Sequence, residues 1–534
     1  MIEGESNMDE PGMPVSRREV LAAGGALALA TLAPAVAAGP VASGSTAGGP
    51  ALARGPVSNE DVFRWVEDLY ELGRRDHYGY RMPGTKSDHE AAHYLADKLR
   101  QFGFSDVRLE PVPIAVAFPD RWSLQVRTGG KAEEILCSFV RYCRYTPAEG
   151  VSAELVYVGE GSPADFDRVD VKGKIVVVDM VVGGIMPTEG PTFFTYDPDD
   201  TIKLEDGKAK WPPKNHDSSY QAAVARGAAG WIGIVDIIGD DTHQYLHWFV
   251  RYELPALTIS SKDGRRLREL LKKERAEGTV TVTGTRGQGT SYNVYGFVPG
   301  KRSEEYIVVK THHDGWATNE ASGAAVTLGV ARHFATSGEK PERTLMFFFR
   351  ACHFGIGWSM GRAPSDPPVE ETTALFGLEP GWEKFQSLAA RLMPKTVAAN
   401  NIEMIGRQYH REGDEWRPTT LPAVRYWGVT GPADGANPIL LTAVRTAIGN
   451  HHLRRSIVSN FFIGDGMDYP RNGIPFVNFI SHNIFQFSNK DTPGTVMKED
   501  LAAAVAAFVD IVRAEDAAAA SQLQPAGMVP IKFY

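Results

Sequence analysis

Short apolar runs alternate with amphipathic stretches in the second half of the chain, which is the pattern of an α/β fold. Residues 307–309 are a β-branched run that predicts a buried strand, and residues 344–349 are a continuous apolar run typical of a strand covered on both faces. Residues 324–335, between these runs, predict a helix. The same patterns predict strands at 293–298, 396–402 and 476–480 and helices at 436–449 and 498–513. The fold class predicted is therefore α/β, with a mixed, mostly parallel sheet flanked by helices.

The first half of the chain is organised differently. Residues 58–72 and 87–102 carry apolar positions on one helical face. From about residue 119 to residue 285 short strands dominate, and we expect a compact β-rich unit inserted in the chain. Within it, residues 182–217 are polar and rich in Pro and Asp, which predicts an irregular excursion.

The N-terminal segment carries a targeting signal rather than part of the fold. Residues 16–21, Ser-Arg-Arg-Glu-Val-Leu, form a twin-arginine pattern, and residues 35–37, Ala-Val-Ala, resemble a cleavage site. The apolar run between them is rich in Ala and Gly, which favours a cleaved signal peptide over a membrane anchor. We expect residues 1–38 to direct twin-arginine export to the periplasm or the exterior, followed by a flexible leader at 39–57 and no membrane attachment after cleavage.

Composition limits the classes of partner. The formal net charge of −9, without a dense Lys and Arg cluster, argues against a nucleic-acid partner. The three cysteines, Cys137, Cys143 and Cys352, are too few for a disulfide scaffold. Cys137 and Cys143 either pair in an oxidising compartment or stay reduced in strands, whereas Cys352 remains a free thiol.

Candidate chemistry begins at the end of the first buried strand of the α/β region. His312, His313 and Asp314 follow the run at residues 307–309 and precede a helix. Polar side chains at the carboxyl end of a strand, next to a helix N-terminus, occupy the usual site position of an open α/β sheet. The alternative is a solvated loop with two incidental histidines.

The order of motifs along the chain is similar to that of a known family. It resembles the di-zinc aminopeptidases of the bacterial leucyl aminopeptidase and glutamate carboxypeptidase type, over about residues 58–513. The resemblance rests on Arg81 with Gly84-Thr85, residues 174–178 with 227–230, residues 293–296 with 299–300, Gly473-Ile474-Pro475 and Asp491-Thr492. It implies a peptidase-like domain in two parts, 58–118 and 286–515, a protease-associated-like insert at 119–285, and a tail at 516–534.

The resemblance also implies a chemistry. Enzymes of this family hold two Zn²⁺ with two His and three carboxylates, and a Glu acts as general base. His312 matches the first His ligand and Asp314 the Asp that orients it. Asn319 stands at the position of the bridging Asp, Cys352 at that of the general base, and His353 at that of the next ligand.

The remaining positions are also partly exchanged. Glu403 replaces an Asp ligand and keeps the carboxylate. Asp465-Gly466 stands where the family has Asp-His, and Phe487 stands at the last His ligand, with His482 nearby as a possible substitute. Losing a general base typically costs about two to four orders of magnitude in rate, so we do not expect an ordinary two-zinc peptidase mechanism.

Three hypotheses follow from these exchanges. The first is a single-metal site with His312, His353 and Glu403 as ligands and Asn319 as a weak fourth, in which Asp314, His313 or Asp465 move protons. The second is a metal-free enzyme that uses Cys352 as nucleophile together with a histidine such as His313, for which the alternative is a small buried core cysteine.

The third hypothesis is a binding protein that keeps the fold and takes a peptide or small ligand in the old cleft. The replacements are mostly other functional residue types, such as His for Glu and Glu for Asp, which favours a repurposed site over a decayed one. The sequence therefore predicts an exported hydrolase for an amide bond of a peptide-like or small substrate. Its cofactor is expected to be one divalent metal ion, most plausibly zinc.

Overall fold

The structure is a computed structural model. It describes residues 56–180, 192–203, 215–235, 252–316, 318–357, 368–412, 415–431, 435–460, 462, 464–481 and 483–524. The predicted signal peptide and most of the leader lie outside these residues. None of the helices in the described ranges is long and apolar enough to span a membrane.

Helices form where the sequence supplies caps and apolar faces. Ser58 begins the first helix with a capping box to Asp61, and Thr85 caps the second through the backbone N–H of Asp88. The described α-helices are α1 (Asn59–Arg74), α2 (Lys86–Gln101), α3 (Pro163–Phe166), α4 (His216–Ala225), α5 (Ser261–Lys273), α6 (Thr318–Thr336), α7 (Val369–Phe376), α8 (Leu388–Leu392), α9 (Pro438–Asn450), α10 (Asp468–Arg471), α11 (Leu501–Ala517) and α12 (Ala520–Leu523).

Strands follow the apolar runs of the sequence and extend beyond them. The described strands are β1 (Val107–Thr128), β2 (Lys131–Ile135), β3 (Cys137–Phe139), β4 (Val151–Tyr157), β5 (Ile175–Met180), β6 (Thr192–Tyr196), β7 (Gly230–Val235), β8 (Ala256–Ser260), β9 (Glu277–Val298), β10 (Arg302–His312), β11 (Arg343–Arg350), β12 (Ile356–Gly357), β13 (Thr396–Ile405), β14 (Arg407–Glu412), β15 (Glu415–Pro422), β16 (Arg425–Val429), β17 (Ser456–Ser459) and β18 (Phe476–Ser481).

The sheet that carries the predicted site has the order β9-β11-β10-β13-β18-β16-β17-β6. Strand β10 is parallel to β11 and β13, and β13 is parallel to β18. Strand β16 pairs antiparallel with β18 and parallel with β17, whereas β9 and β6 are antiparallel to their neighbours. Helices α1, α2, α6, α9 and α11 contribute to the apolar core that covers this sheet. The mixed, mostly parallel sheet flanked by helices that the sequence predicts is confirmed.

The β-rich middle of the chain continues this sheet. Its strands lie in the order β3-β8-β7-β5-β4 and join the rest through β9. Strands β1 and β9 pair antiparallel along their length, with a register shift between Pro119 and Arg121. The predicted domain boundaries at 118 and 285 fall at this irregularity, where Phe118 faces Thr285, and they stay predictions. Because β1 and β9 run through both parts of the sheet, their main-chain hydrogen bonds join the β-rich middle to the rest.

The central strands position the functional side chains. Every residue of β13 is buried, as are those of β11 up to Phe349. The ladder sets His312 beside Arg350, and Lys310 beside Asn401. Because these strands are parallel, their carboxyl ends meet at one edge of the sheet, and the candidate residues lie at that edge.

Candidate active site

His312 is the residue around which the site is built. It ends β10, is 1% exposed, and its Nδ1 lies 2.9 Å from the backbone oxygen of Asp314. A carbonyl only accepts, so Nδ1 carries a proton, and in the neutral imidazole Nε2 presents its lone pair. Burial opposes the charged form of His312, but the carboxylates of Asp314, Asp465 and Glu403 raise its pKa overall. Within the described residues, Nε2 has no hydrogen-bond partner. This buried, oriented and open nitrogen is the arrangement that a metal-binding histidine has.

Asp314 ties the ends of two strands together. Its carboxylate accepts from the backbone N–H groups of His353 at 3.1 Å and Phe354 at 2.7 Å, and it lies 3.6 Å from His312 Nδ1. Burial alone would raise the pKa of Asp314, but the interaction with His312 and the charges of His312 and His353 lower it overall. Asp314 is therefore an ionised positioning group, as its predicted orienting role requires, and not a carrier of protons.

His353 stands beside His312. The two rings have centroids 4.3 Å apart, and His353 Nδ1 lies 3.4 Å from an oxygen of Asp465. Burial, followed by the neighbouring charge of His312, lowers the pKa of His353 to about 4, so its imidazole is neutral at pH 7. The structure thus brings together the two histidines that the sequence predicts as ligands.

Asp465 is held by two basic side chains that the sequence analysis did not single out. Lys310 Nζ lies 2.5 Å from its carboxylate, with both side chains fully buried, and Arg350 lies 2.5 Å from the other oxygen. Arg350 also contacts Asp468 at 3.2 Å. Burial opposes ionisation of Asp465, but Lys310 and then Arg350 hold its pKa well below the usual range. This setting favours an ionised Asp465 and does not favour the predicted role of Asp465 in moving protons, which stays a prediction.

Glu403 faces the loop that carries Asp465. One of its oxygens accepts from the Asp465 backbone N–H and from Asn401 Nδ2, and a Cβ on Gly464 would overlap the carboxylate. Burial raises the pKa of Glu403 to about 7. No ion pair reaches Glu403 from the described part of the chain. A buried carboxylate without a cation is costly to ionise, and a bound cation would relieve that cost.

His313 points away from His312 and belongs to a separate buried cluster. Its Nε2 donates to the Tyr292 carbonyl at 2.7 Å, and its Nδ1 lies 3.4 Å from Asp88. Burial lowers the pKa of His313 to about 4 and raises that of Asp88. Asp88 also accepts from Ser291 Oγ at 2.6 Å. The ring of His313 is thus held by the main chain in the core, which does not favour its predicted catalytic role, and that role stays a prediction.

Cys352 does not have the setting of a nucleophile. It is 2% exposed with a φ of 57°, and its sulfur lies next to Gly355 and Gly357. Burial raises the pKa of its thiol well above the ordinary value. A thiolate is required for nucleophilic attack, so this setting favours the buried core cysteine, and the role of Cys352 as a nucleophile stays a prediction. Cys137 and Cys143 are also free and buried.

Aromatic side chains occupy the position of the family's last histidine. Phe487 packs edge-on against Trp316 and Phe354, with ring centroids 5.3 Å and 5.5 Å away. Trp316 stacks on Tyr80 at 3.9 Å. Asn319 lies in the first turn of α6, but its side chain and the whole of His482 lie outside the described residues.

These donors do not fit a two-zinc centre. Lys310 and Arg350 already neutralise Asp465, and Phe487 and Cys352 offer no hard donor. Throughout the described ranges, no three His, Cys, Asp or Glu side chains are grouped to hold a metal ion, so His312, His353 and Glu403 do not form a preassembled set. What fits one ion is the open Nε2 of His312, with carboxylates close by and no basic partner on Glu403.

The sequence gives only partial signals for three charged residues of the site, namely Lys310, Arg350 and Glu320. Lys310 interrupts an apolar strand two positions before His312, and Arg350 directly follows the apolar run of β11. A charge at the end of a strand predicted to be buried on both faces is a signal that a buried partner exists. Glu320 follows Asn319 in the sequence, is 1% exposed and interacts electrostatically with His312.

Comparison with known proteins agrees with this architecture. The model of peptidase family M28 matches residues 293–352, the segment from β9 through β10 and α6 to the end of β11. The fold is that of the M28 peptidases. The predicted resemblance to the di-zinc aminopeptidases is thereby confirmed at the level of fold. None of the curated protein sequences matches the chain.

Solved structures with the M28 fold align with most of the chain. One is the peptidase M28 precursor from Shewanella amazonensis SB2B, with a TM-score of 0.60, 19% identity, and coverage of 89% of this chain and 100% of that one. Another is BSAP, a zinc aminopeptidase from Bacillus subtilis, with a TM-score of 0.56, 18% identity, and coverage of 86% and 95%. At this identity the likeness carries the fold, and the chemistry must be argued from the residues.

Proposed function

We propose that the protein is an M28-type hydrolase that acts on an amide bond of a peptide-like or small substrate, with one divalent ion, zinc, at His312. The observation that carries this proposal is the open, buried Nε2 of His312 above an Nδ1 held by Asp314. The family whose fold the chain has supports the reaction class.

The residues of the chain have defined tasks in this proposal. Asp314 fixes the tautomer of His312, so that Nε2 is the donor. Lys310 and Arg350 keep Asp465 ionised, and the Asp465 backbone N–H in turn holds Glu403. When bound, a divalent ion supplies Lewis-acid polarisation of an amide carbonyl. His353, neutral at pH 7 and partly exposed, is the imidazole of the pair that lies nearer to solvent and can accept a proton.

A second function is favoured by a separate observation. Lys310 and Arg350 balance Asp465 without a metal, and Phe487 joins an aromatic cluster with Trp316 and Phe354. Such a centre is stable as it stands, which suits a protein that binds a peptide or small ligand and does not cleave it.

Hydrolysis is tested with the full chain on a panel of aminoacyl anilides and short peptides, with and without added Zn²⁺. We expect zinc-dependent product release that is lost in His312→Ala and kept in His451→Ala, whose histidine pairs with Asp510 away from the site. Binding of a panel member without cleavage, equal in both variants and indifferent to zinc, would instead establish the binding protein.

Export belongs to the proposal as well. We infer that residues 1–38 act as a twin-arginine signal peptide, because Arg17-Arg18 precedes an Ala-rich apolar run. Replacing both arginines by lysine should leave the full-length chain inside the producing cell, whereas the unmodified chain is exported. Equal export of the two would remove this part of the proposal.

A further inference from the structure

The β-rich middle of the chain places a buried arginine against the candidate site. Arg141 lies two residues after β3, is 1% exposed, and donates from Nη1 to the Phe354 carbonyl oxygen, in the site segment (residues 352–357) that follows β11. Its Nε and Nη2 have no hydrogen-bond partner, and no carboxylate in the described part of the chain forms an ion pair with it. Burying a guanidinium is costly, and an apolar side chain would fill the space at lower cost. Packing alone therefore does not explain this arginine.

Phe354 is the residue through which Arg141 reaches the site. The Phe354 N–H donates to the Asp314 carboxylate at 2.7 Å, and the neighbouring N–H of His353 donates to it at 3.1 Å. The main chain at Phe354 is thus held at its nitrogen by Asp314 and at its oxygen by Arg141. The charge of Arg141 also interacts with Asp314. Because Asp314 in turn orients His312, Arg141 is linked to the centre of the site by consecutive contacts.

Tyr142 holds the next part of the site segment. Its hydroxyl accepts from the Ile356 N–H at 3.2 Å and donates to the Ala115 carbonyl, on β1, at 3.3 Å. A Cβ built on Gly355 would lie 3.2 Å from this hydroxyl and 2.6 Å from Cys352 Sγ, so the segment packs closely against the tyrosine. The site segment is therefore fixed from the β-rich middle as well as from the site.

Two residues at this contact have strained backbones. Tyr142 and Cys352 adopt φ values of 65° and 57°, in the left-handed region that residues other than glycine rarely adopt. Such conformations persist where the surrounding contacts over-determine them, and they concentrate at functional sites. One of the two lies on each side of the contact, which favours a role for the contact in the site.

We infer that Arg141 is a positioning residue of the candidate site, contributed by the β-rich middle of the chain and assisted by Tyr142. It holds the site segment so that the N–H groups of that segment orient Asp314, which in turn orients His312. The inference rests on the proposed function, whereas the hold on the site segment can be measured without a metal.

The first measurement is hydrogen exchange of the metal-free full chain, read by mass spectrometry. Arg141→Met removes a charge-assisted hydrogen bond, so we expect exchange of the site segment to become about tenfold faster while that of β13 stays as in the wild type. Arg141→Lys can still donate to the Phe354 oxygen and should restore slow exchange. The matched control is Arg455→Met, which removes another buried arginine that donates to a main-chain oxygen, that of Thr201, and should leave the site segment unchanged.

The second measurement is calorimetric titration of the same proteins with ZnCl₂. We expect Arg141→Met to weaken zinc binding about tenfold, as the loss of a group that orients a ligand does. Arg141→Lys and Arg455→Met should bind zinc nearly as the wild type does. A role of Arg141 in general stability alone would not distinguish the site segment from β13, nor would it be rescued by lysine.

The outcomes separate the inference from the proposed function. Unchanged exchange of the site segment in Arg141→Met overturns the inference and leaves the function standing, and so does faster exchange with unchanged zinc affinity. Absence of zinc binding by the wild type overturns the proposed function and, with it, the positioning role at His312. If Arg141→Met does not fold, Tyr142→Phe, which removes the hydroxyl that holds Ile356, decides in the same way.

Discussion

At the scale of single residues, the main departure from a two-metal centre is that basic side chains, and not metal ions, neutralise a buried carboxylate. Lys310 and Arg350 do for Asp465 what a cation would do, since both contact it at 2.5 Å inside the protein. The Lys310 ammonium neutralises Asp465 without a bound ion, but both charged groups must lose their hydration when the chain folds. The site therefore has ion pairs at Asp465, whereas Nε2 of His312 has no hydrogen-bond partner among the described residues.

Removing Lys310 should be strongly destabilising. Lys310→Met leaves Asp465 buried with Arg350 alone, and we expect the free energy of unfolding to fall by about 3 kcal/mol in urea denaturation. Lys301→Met, which breaks an equally short but exposed pair with Glu342, should stay close to the wild type. A urea midpoint of unfolding for Lys310→Met equal to that of the wild type would contradict the buried ion pair between Lys310 and Asp465.

Asp88 and His313 make a second residue-scale prediction. Asp88 and His313 Nδ1 both present acceptors, so a protonated Asp88 that donates to His313 satisfies both. Asp88→Asn can donate in the same direction and should keep the wild-type stability. Asp88→Ala should lose about 2 kcal/mol, because Ser291 and Gly84 also lose their acceptor. Equal stabilities of the two variants in denaturant titrations would reject this arrangement.

At the scale of elements, β13 and α11 are joined by a buried polar contact. Asn400 Nδ2 donates to Glu515 at 2.7 Å, and burial raises the pKa of Glu515 to about 8. A carboxyl whose pKa is raised on folding holds its proton more tightly in the folded state. Its contribution to stability is therefore present at low pH and is lost as the pH rises from about 4.5 to about 8.

Glu515→Gln should remove that part of the pH dependence. We expect the free energy of unfolding of the wild type to fall relative to the variant by on the order of 1 kcal/mol per pH unit between about pH 5 and pH 8. Urea midpoints at three pH values measure the difference directly. Parallel curves for the two proteins would mean that Glu515 is ionised in the folded state.

Elements are also the level at which the sequence was most informative. The continuous apolar run at 344–349 and the β-branched run at 307–309 are typical of buried parallel strands, and both strands are observed. The two long strands β1 and β9 were not predicted as such, because periodicity does not reveal that a strand continues from one part of a sheet into another.

The site was predictable in its location and less so in its chemistry. Strand-end position located His312 and Asp314, and motif order located His353 and Glu403. Lys310, Arg350 and Glu320 were missed because the sequence does not show which residue contacts a charged side chain, and their partners lie 155, 115 and 166 positions away. The burial of Cys352 and His313, which shifts their pKa values, could not be predicted from the sequence because it is a property of the folded chain.

At the scale of the whole molecule, the chain has an M28 fold, and the proposed centre departs from that of the family. The fold aligns with that of BSAP, a zinc aminopeptidase, and with that of a peptidase M28 precursor over most of the chain, at under one fifth identity. Conserving the scaffold and exchanging the polar residues at the strand ends is how one fold serves different chemistries. The central claim is that the proposed centre takes a single divalent ion at His312, because Lys310 and Arg350 already neutralise the neighbouring Asp465.

The metal content of the purified full chain tests that claim most directly. Elemental analysis after loading with Zn²⁺ and removal of the excess should give about one equivalent per chain in the wild type and none in His312→Ala. Two equivalents would mean that Lys310 and Arg350 do not replace a second ion, and no metal in the wild type would contradict the metal site itself.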